Sequence, residues 1–156
     1  MSSVIRFIGD THFGHINMAL HRGFSSIEEH DEYIIDRWNS VVKKHDTTLI
    51  LGDVTMEKTN YEIINRLKGF KKVILGNHDH HGKELLKYVN SVWGSFKYQG
   101  CILTHIPIHE SELERFRFNI HAHLHEKVID DPRYISVSCE QVDYIPKSLE
   151  ELLINT

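Results

Sequence analysis

Short apolar blocks alternate with amphipathic stretches along this chain, and a side chain able to bind metal follows most of the blocks. Runs rich in Val, Ile and Leu fill residues 4–8, 48–51, 73–75, 102–103, 119–120 and 134–137, a length and composition that predict buried strands. Behind Ser26 and Glu29, spaced as a capping box, Ile27, Ile34, Ile35, Trp38, Val41 and Val42 recur at helical spacing and predict an amphipathic helix. Ile63, Ile64 and Leu67 predict a shorter helix over 60–68, and Ser148 with Glu151 forms a second capping box that opens a C-terminal helix. The first half therefore reads β-α-β-α-β, which predicts an α/β layered domain. The segment SVWGSFKYQGCILTH, residues 91–105, reads instead as paired strands turning at Gln99 and Gly100. A mixed sheet, or two sheets, is expected within the α/β class.

Composition narrows the setting. The 156 residues contain no repeat, low-complexity tract or linker, and Pro107, Pro132 and Pro146 are scattered. One domain over 1–156 is expected, large enough to bury roughly two thirds of the surface its unfolded chain exposes. Eighteen basic residues stand against 22 acidic ones, net charge -4, with no run of five like charges, which speaks against an extended nucleic-acid partner. Cys101 and Cys139 are not ligand-spaced and read as small buried residues in a reducing compartment. The opening MSSVIRFIGD lacks an apolar segment of signal-peptide length, and no apolar run reaches the length of a membrane span. A cytoplasmic protein with no membrane partner is expected.

Histidine, at 13 residues, is the unusual component, because imidazole is both the commonest metal ligand and the usual proton carrier near neutral pH. In VIRFIGDTH, TTLILGDV, KKVILGNHD, GCILTH and FNIHAHLH, an apolar run stops and a metal-competent side chain follows within a residue or two. Ligands in open α/β sheets bind outside the carboxyl ends of strands, so these ends are expected to converge. Asp10 with His12, and His123 with His125, are spaced i, i+2; in near-strand geometry each pair points to one side. The inventory is Asp10, His12, Asp53, Asn77, His105, His123 and His125. Mixed oxygen and nitrogen donors suit Mn, Fe, Zn, Co or Ni better than Mg or Ca. Seven ligands exceed one tetrahedral site and suit two ions bridged by a shared carboxylate, an arrangement of phosphoryl-transfer hydrolases. Two divalent ions offset by two carboxylates also leave a positive pocket suited to phosphate.

These blocks, DTH, Gly52-Asp53, GNHD at 76–79, His105 in LTHIP and AHLH at 122–125, resemble the calcineurin-like metallophosphoesterase superfamily. The match is to its small, capless bacterial and phage-borne members, which share the DTHFGH opening. The resemblance implies a layered β-sandwich of mixed sheets flanked by helices and a hydrolase of small phosphate esters, with phosphodiesters favoured. It implies two divalent transition-metal ions, manganese first and Fe, Zn, Ni or Co behind it, and attack by a metal-bridging hydroxide. Asp10, His12, Asp53 and His125 are assigned to one ion, and Asp53, Asn77, His105 and His123 to the other, with Asp53 bridging. His78 takes the place of the general acid, a role an imidazole beside two cations suits independently. The family's usual acidic orienter of that histidine is replaced by Met56, leaving Asp79 or Glu57 to substitute. Ala122 stands where the family carries Gly.

Other positions are weighed against plainer readings. Arg22 offers a planar fork for a phosphate oxygen but is read as a surface arginine more readily, and His15 is an even choice for lining the pocket. Arg115 and Arg117 are expected on a solvated helix face, and His30, His45, His80, His81, His109 and His121 on solvated loops. A nuclease or cyclic-nucleotide phosphodiesterase of the same superfamily is the first alternative, and a catalytically silent metal-binding scaffold the second.

Overall fold

A computed structural model describes residues 2–56 and 58–154. Two sheets share one hydrophobic core. The first has strand order β4-β3-β2-β1-β9, built from β1 (Ile5–Ile8), β2 (Thr47–Ile50), β3 (Phe70–Ile74), β4 (Ser91–Trp93) and β9 (Lys147–Ser148). Strands β1 to β4 run parallel, and the short β9 closes the edge antiparallel to β1. The second sheet has the order β5-β6-β7-β8, from β5 (Phe96–Tyr98), β6 (Cys101–Leu103), β7 (Asn119–His121) and β8 (Tyr134–Ser136). Only β5 in it is antiparallel. The α/β fold of mixed sheets with flanking helices is as expected.

Local signals explain most boundaries. Helix α2 (Ile27–Val41) starts where Ser26 Oγ accepts the Glu29 amide at 3.1 Å. Its box is half rewired, because the Glu29 carboxylate accepts from the Ser25 amide at 3.0 Å. The Ser148–Glu151 box before α5 (Leu149–Ile154) is reciprocal: Glu151 N donates to Ser148 Oγ at 3.2 Å and Ser148 N to Glu151 Oε1 at 3.3 Å. Buried Phe7, Ile8, Ile34, Trp38, Leu49, Ile50, Ile74, Leu103 and Ile120 from both sheets and α2 form a continuous cluster, the expected outcome for strands apolar on the core side. Cys101 and Cys139 are buried and free.

One expectation changes. The segment over 60–68 is a 3₁₀ helix, Lys58–Arg66, rather than an α-helix. The paired strands expected within 91–105 are β5 and β6 of the second sheet, whereas β4 joins β3 in the first, so the chain crosses between sheets at Gly94 and Ser95. The turn at Gln99 and Gly100 does form, with φ of 46° and 80°, a left-handed pair of the kind that two-residue hairpins require. Short helices α1 (Ile16–His21), α3 (Gly82–Leu85) and α4 (Cys139–Val142) were without a sequence signal. No helix among the described residues is long and apolar enough to cross a membrane.

Candidate metal centre

The carboxyl ends of β1, β2, β3, β6 and β7 lie on one side of the molecule, and each carries part of the cluster. Asp10, His12 and His125 offer donor atoms within 4.8 Å of one another, and so do Asp53, His105 and His123. Asn77 Oδ1 lies 2.9 Å from His105 Nε2 and 3.1 Å from His123 Nδ1, beside the second triad. Asp53 Oδ2 stands between the triads, 3.7 Å from His12 Nε2 and 3.3 Å from His105 Nε2. All seven residues singled out in the sequence are therefore brought together.

The i, i+2 pairs do not get there in strand geometry. Asp10, His12, Asp53, His123 and His125 all have positive φ, between 47° and 72°, a region costing a non-glycine residue about 1–3 kcal/mol. Cross-loop hydrogen bonds hold them there. Asp10 N, His12 N and Phe13 N donate to the carbonyls of Gly52, Asp53 and Val54 at 2.9–3.0 Å, and Asp10 Oδ2 accepts His123 N at 2.8 Å and Ser138 Oγ at 2.5 Å. Gly52, φ 84°, must lack a side chain: a Cβ there would meet His105 Nδ1 at 2.5 Å.

Burial and charge make the cluster suitable for cations. His12 is 2% exposed, yet both its ring nitrogens lack a hydrogen-bond partner, as does Asp10 Oδ1. Buried polar atoms are rarely left so, and a cation between the two would satisfy both. Burial pulls His12 down to about 3, leaving it a neutral ligand at ordinary pH. Burial alone would raise Asp53, but its hydrogen bond and charge interaction with His105 bring it down to about 2. His105 Nδ1 lies 2.7 Å from the Leu51 carbonyl and His125 Nδ1 2.8 Å from Glu140 Oε2, so each Nδ1–H donates outward and each Nε2 faces the centre. The donor set fits two divalent ions.

The surrounding residues depart further from expectation. His78 borders the centre, its ring 5.9 Å from that of His12 and its amide donating to Asp53 Oδ1 at 3.0 Å. His15 lies 5.4 Å from the His12 ring. Asp79 does not orient His78: its carboxylate is consumed by the amides of Asp53, Gly76 and Val54 at 2.7, 2.7 and 3.1 Å. Glu57 lies outside the described residues. Arg22 is not a phosphate ligand, since its side chain is 1% exposed and its donors are spent on Asp10 O, Thr11 O, His30 Nε2 and both oxygens of Glu140. His30 and His121 are buried rather than solvated, His30 because it joins Arg22 to Asp31, His121 because β7 lies inside its sheet. Arg117 and Arg115 lie away from the centre, Arg117 on Phe118 and the Gln99 carbonyl and Arg115 beside Glu112. Ser138 and Glu140 were missed; Ser138 follows the apolar run 134–137 and was open to the same strand-end rule, whereas nothing near Glu140 announces its partner.

A cavity of about 620 Å³ between Arg6, Tyr98, Arg117 and Leu149 contains none of these ligands, so donor geometry, not cavity size, locates the centre. A protein of Methanocaldococcus jannaschii described only as uncharacterized protein MJ1445 is 32% identical over 159 residues, covering 94% of this chain and 87% of that protein. The crystal structure of a protein of unknown function from Aquifex aeolicus, AQ665, superposes with a TM-score of 0.78 at 24% identity, covering 99% of this chain and 100% of that one. An archaeal phosphodiesterase superposes with a TM-score of 0.54 at 18% identity over 86% of this chain and 81% of that one. The model of the calcineurin-like phosphoesterase family matches residues 3–149, and the chain belongs to that family.

Proposed function

We propose that the protein is a phosphodiesterase that uses two divalent transition-metal ions, manganese foremost, to hydrolyse small phosphate esters. The observation that carries this reading is the pair of interleaved triads, Asp10/His12/His125 and Asp53/His105/His123, with the Asp53 carboxylate between them. The chemistry that bound ions supply is charge for the phosphate and acidification of the attacking water. Everything else falls to the chain. Asp53, whose carboxylate stands between the two sets, would serve both ions, and Asn77 would complete the second set. His78, at the rim of the centre beside His12, gives its proton to the leaving oxygen, with His15 lining the pocket near it. The organic group of the ester rests in an open cavity of about 300 Å³ lined by Met18, His21, Leu124 and Lys127 next to His123 and His125. Its mixed lining and its opening to solvent suit a small diester, and the acidic balance of the chain disfavours a long polymer.

The deciding experiment is hydrolysis of p-nitrophenyl phosphate and its bis ester by metal-stripped protein with Mn, Zn, Ni, Co or Mg restored. Metal-dependent turnover favouring the bis ester is expected. Stoichiometric metal uptake with no turnover would replace this reading by a silent scaffold, and efficient cleavage of single-stranded DNA or RNA at physiological salt would replace it by a nuclease.

A further inference from the structure

One buried cation reaches the Asp10/His12/His125 triad without belonging to it, directly through the backbone at Asp10 and Thr11 and indirectly through Glu140, which holds His125. Arg22 caps α1, and its guanidinium is enclosed, 1% exposed. Nη2 donates to the Asp10 carbonyl at 2.6 Å and Nη1 to the Thr11 carbonyl at 3.3 Å, so the peptides on both sides of Thr11 are gripped. Asp10 and His12, the two ligands flanking those peptides, are both in left-handed backbone. On its other edge Arg22 meets Glu140 twice, Nε to Oε2 at 3.4 Å and Nη2 to Oε1 at 3.1 Å. Glu140 Oε2 in turn receives Nδ1–H of His125 at 2.8 Å. The remaining Nη1 proton reaches His30 Nε2 at 3.0 Å; His30 Nδ1–H donates to Asp31 at 2.7 Å, and Asp31 accepts the Gly14 amide at 3.0 Å. The loop from Asp10 to Gly14 is thereby held at both ends.

We propose that Arg22 and Glu140 form one positioning unit that sets the metal affinity of the Asp10/His12/His125 site and leaves the other site alone. The inference rests on the two-metal reading above. A carboxylate behind a ligating imidazole fixes its tautomer and orientation and makes it a stronger donor; the His105 ring of the second triad gives that hydrogen bond to the neutral Leu51 carbonyl at 2.7 Å, with the Asp10 carboxylate beyond hydrogen-bond reach at 3.9 Å. A lone guanidinium so near the centre would repel a divalent ion, and Glu140 cancels that charge while fixing His125. Neither residue falls in any of the strand-end blocks, so the unit is additional to the ligand set itself.

The test is stepwise titration of metal-stripped protein with Co(II), followed by its visible absorption, in wild type, Glu140→Ala, Glu140→Gln, His125→Ala and His123→Ala. Wild type is expected to bind two ions. Glu140→Ala should weaken one step by about 10–100-fold, and that step should be the one His125→Ala abolishes, not the one His123→Ala abolishes. Glu140→Gln keeps the shape and an acceptor oxygen for Nδ1–H, so it should restore part of the loss and carries the test if the alanine variant does not fold. Unchanged affinity at both steps, or an equal loss at both, would overturn the positioning role. A wild-type protein that takes up no Co(II) would instead overturn the metal reading on which it stands.

Discussion

The carboxylate of Asp79 accepts the backbone amide of Asp53 at 2.7 Å and with its other oxygen the amide of Val54 at 3.1 Å. The third bond, from Gly76 N at 2.7 Å, ties the Gly52-Asp53 loop to the GNHD loop. Asp79 therefore holds the backbone of the proposed bridging ligand. Asp79→Ala leaves three amide donors without an acceptor, each costing about 1–3 kcal/mol when buried. Its urea midpoint, measured without metal, is expected to fall by the equivalent of about 3 kcal/mol or more, with metal uptake weakened in parallel. A midpoint within error of wild type would show that water replaces the carboxylate and that the loop does not depend on it.

Gly9 and Ala122 are matched in the same physical sense. A Cβ on Gly9 would lie 2.5 Å from the Ala122 Cβ and 3.1 Å from the Leu51 carbonyl. Ala122 has taken space that its neighbour had to give up. Gly9→Ala is expected to cost about 1–3 kcal/mol, the range for overpacking a filled core, and pairing it with Ala122→Gly should recover part of that loss. A double-mutant cycle from urea unfolding reads the coupling directly. Additive losses would mean that the Leu51 carbonyl, and not Ala122, excludes the side chain.

Ligand and proton donor are expected to separate under mutation. Asp53→Asn removes a carboxylate oxygen that stands within 3.7 Å of a ring nitrogen from each triad, so metal retention and turnover should vanish together. His78→Ala removes a ring at the rim, and turnover should fall by about 10²–10⁴ with metal content nearly unchanged. The loss should be largest on esters with poor leaving groups, which need the proton most. An unchanged rate on such an ester would remove His78 from the mechanism.

The sequence exposed the strand ends and the side chains on them, because a buried strand is an apolar run and its polar terminus is visible as a break. That is why Asp10, Asp53, Asn77, His105 and His123 could be named before any fold was known. What it hid was geometry fixed by distant partners. The left-handed backbone of Asp10 and His12 depends on carbonyls of Gly52, Asp53 and Val54, more than forty positions away in the chain. Arg22 looked like a surface arginine since its acceptors include Glu140, and the roles of His30 and Asp79 were likewise settled by neighbours from other loops. Composition marked the paired strands around Gln99 and Gly100, but it does not say that β4, just before them, joins the other sheet.

Acid stability should carry the signature of a carboxylate outside the centre. Burial alone would raise Asp46, but its bonds from the Lys43 and Val4 amides, at 2.8 and 2.9 Å, with Arg6 nearby, hold it below its ordinary value. A carboxyl that is more acidic folded than unfolded stabilises the fold at any pH above its unfolded value, about 3.9. That contribution is lost as pH falls through the lowered native value. The metal-free protein should thus lose urea stability as pH falls below about 4, and Asp46→Asn, less stable at pH 7, should lose less of what remains. Parallel curves for the two proteins across that range would mean that other carboxylates carry the acid sensitivity and that Asp46 acts only by its shape.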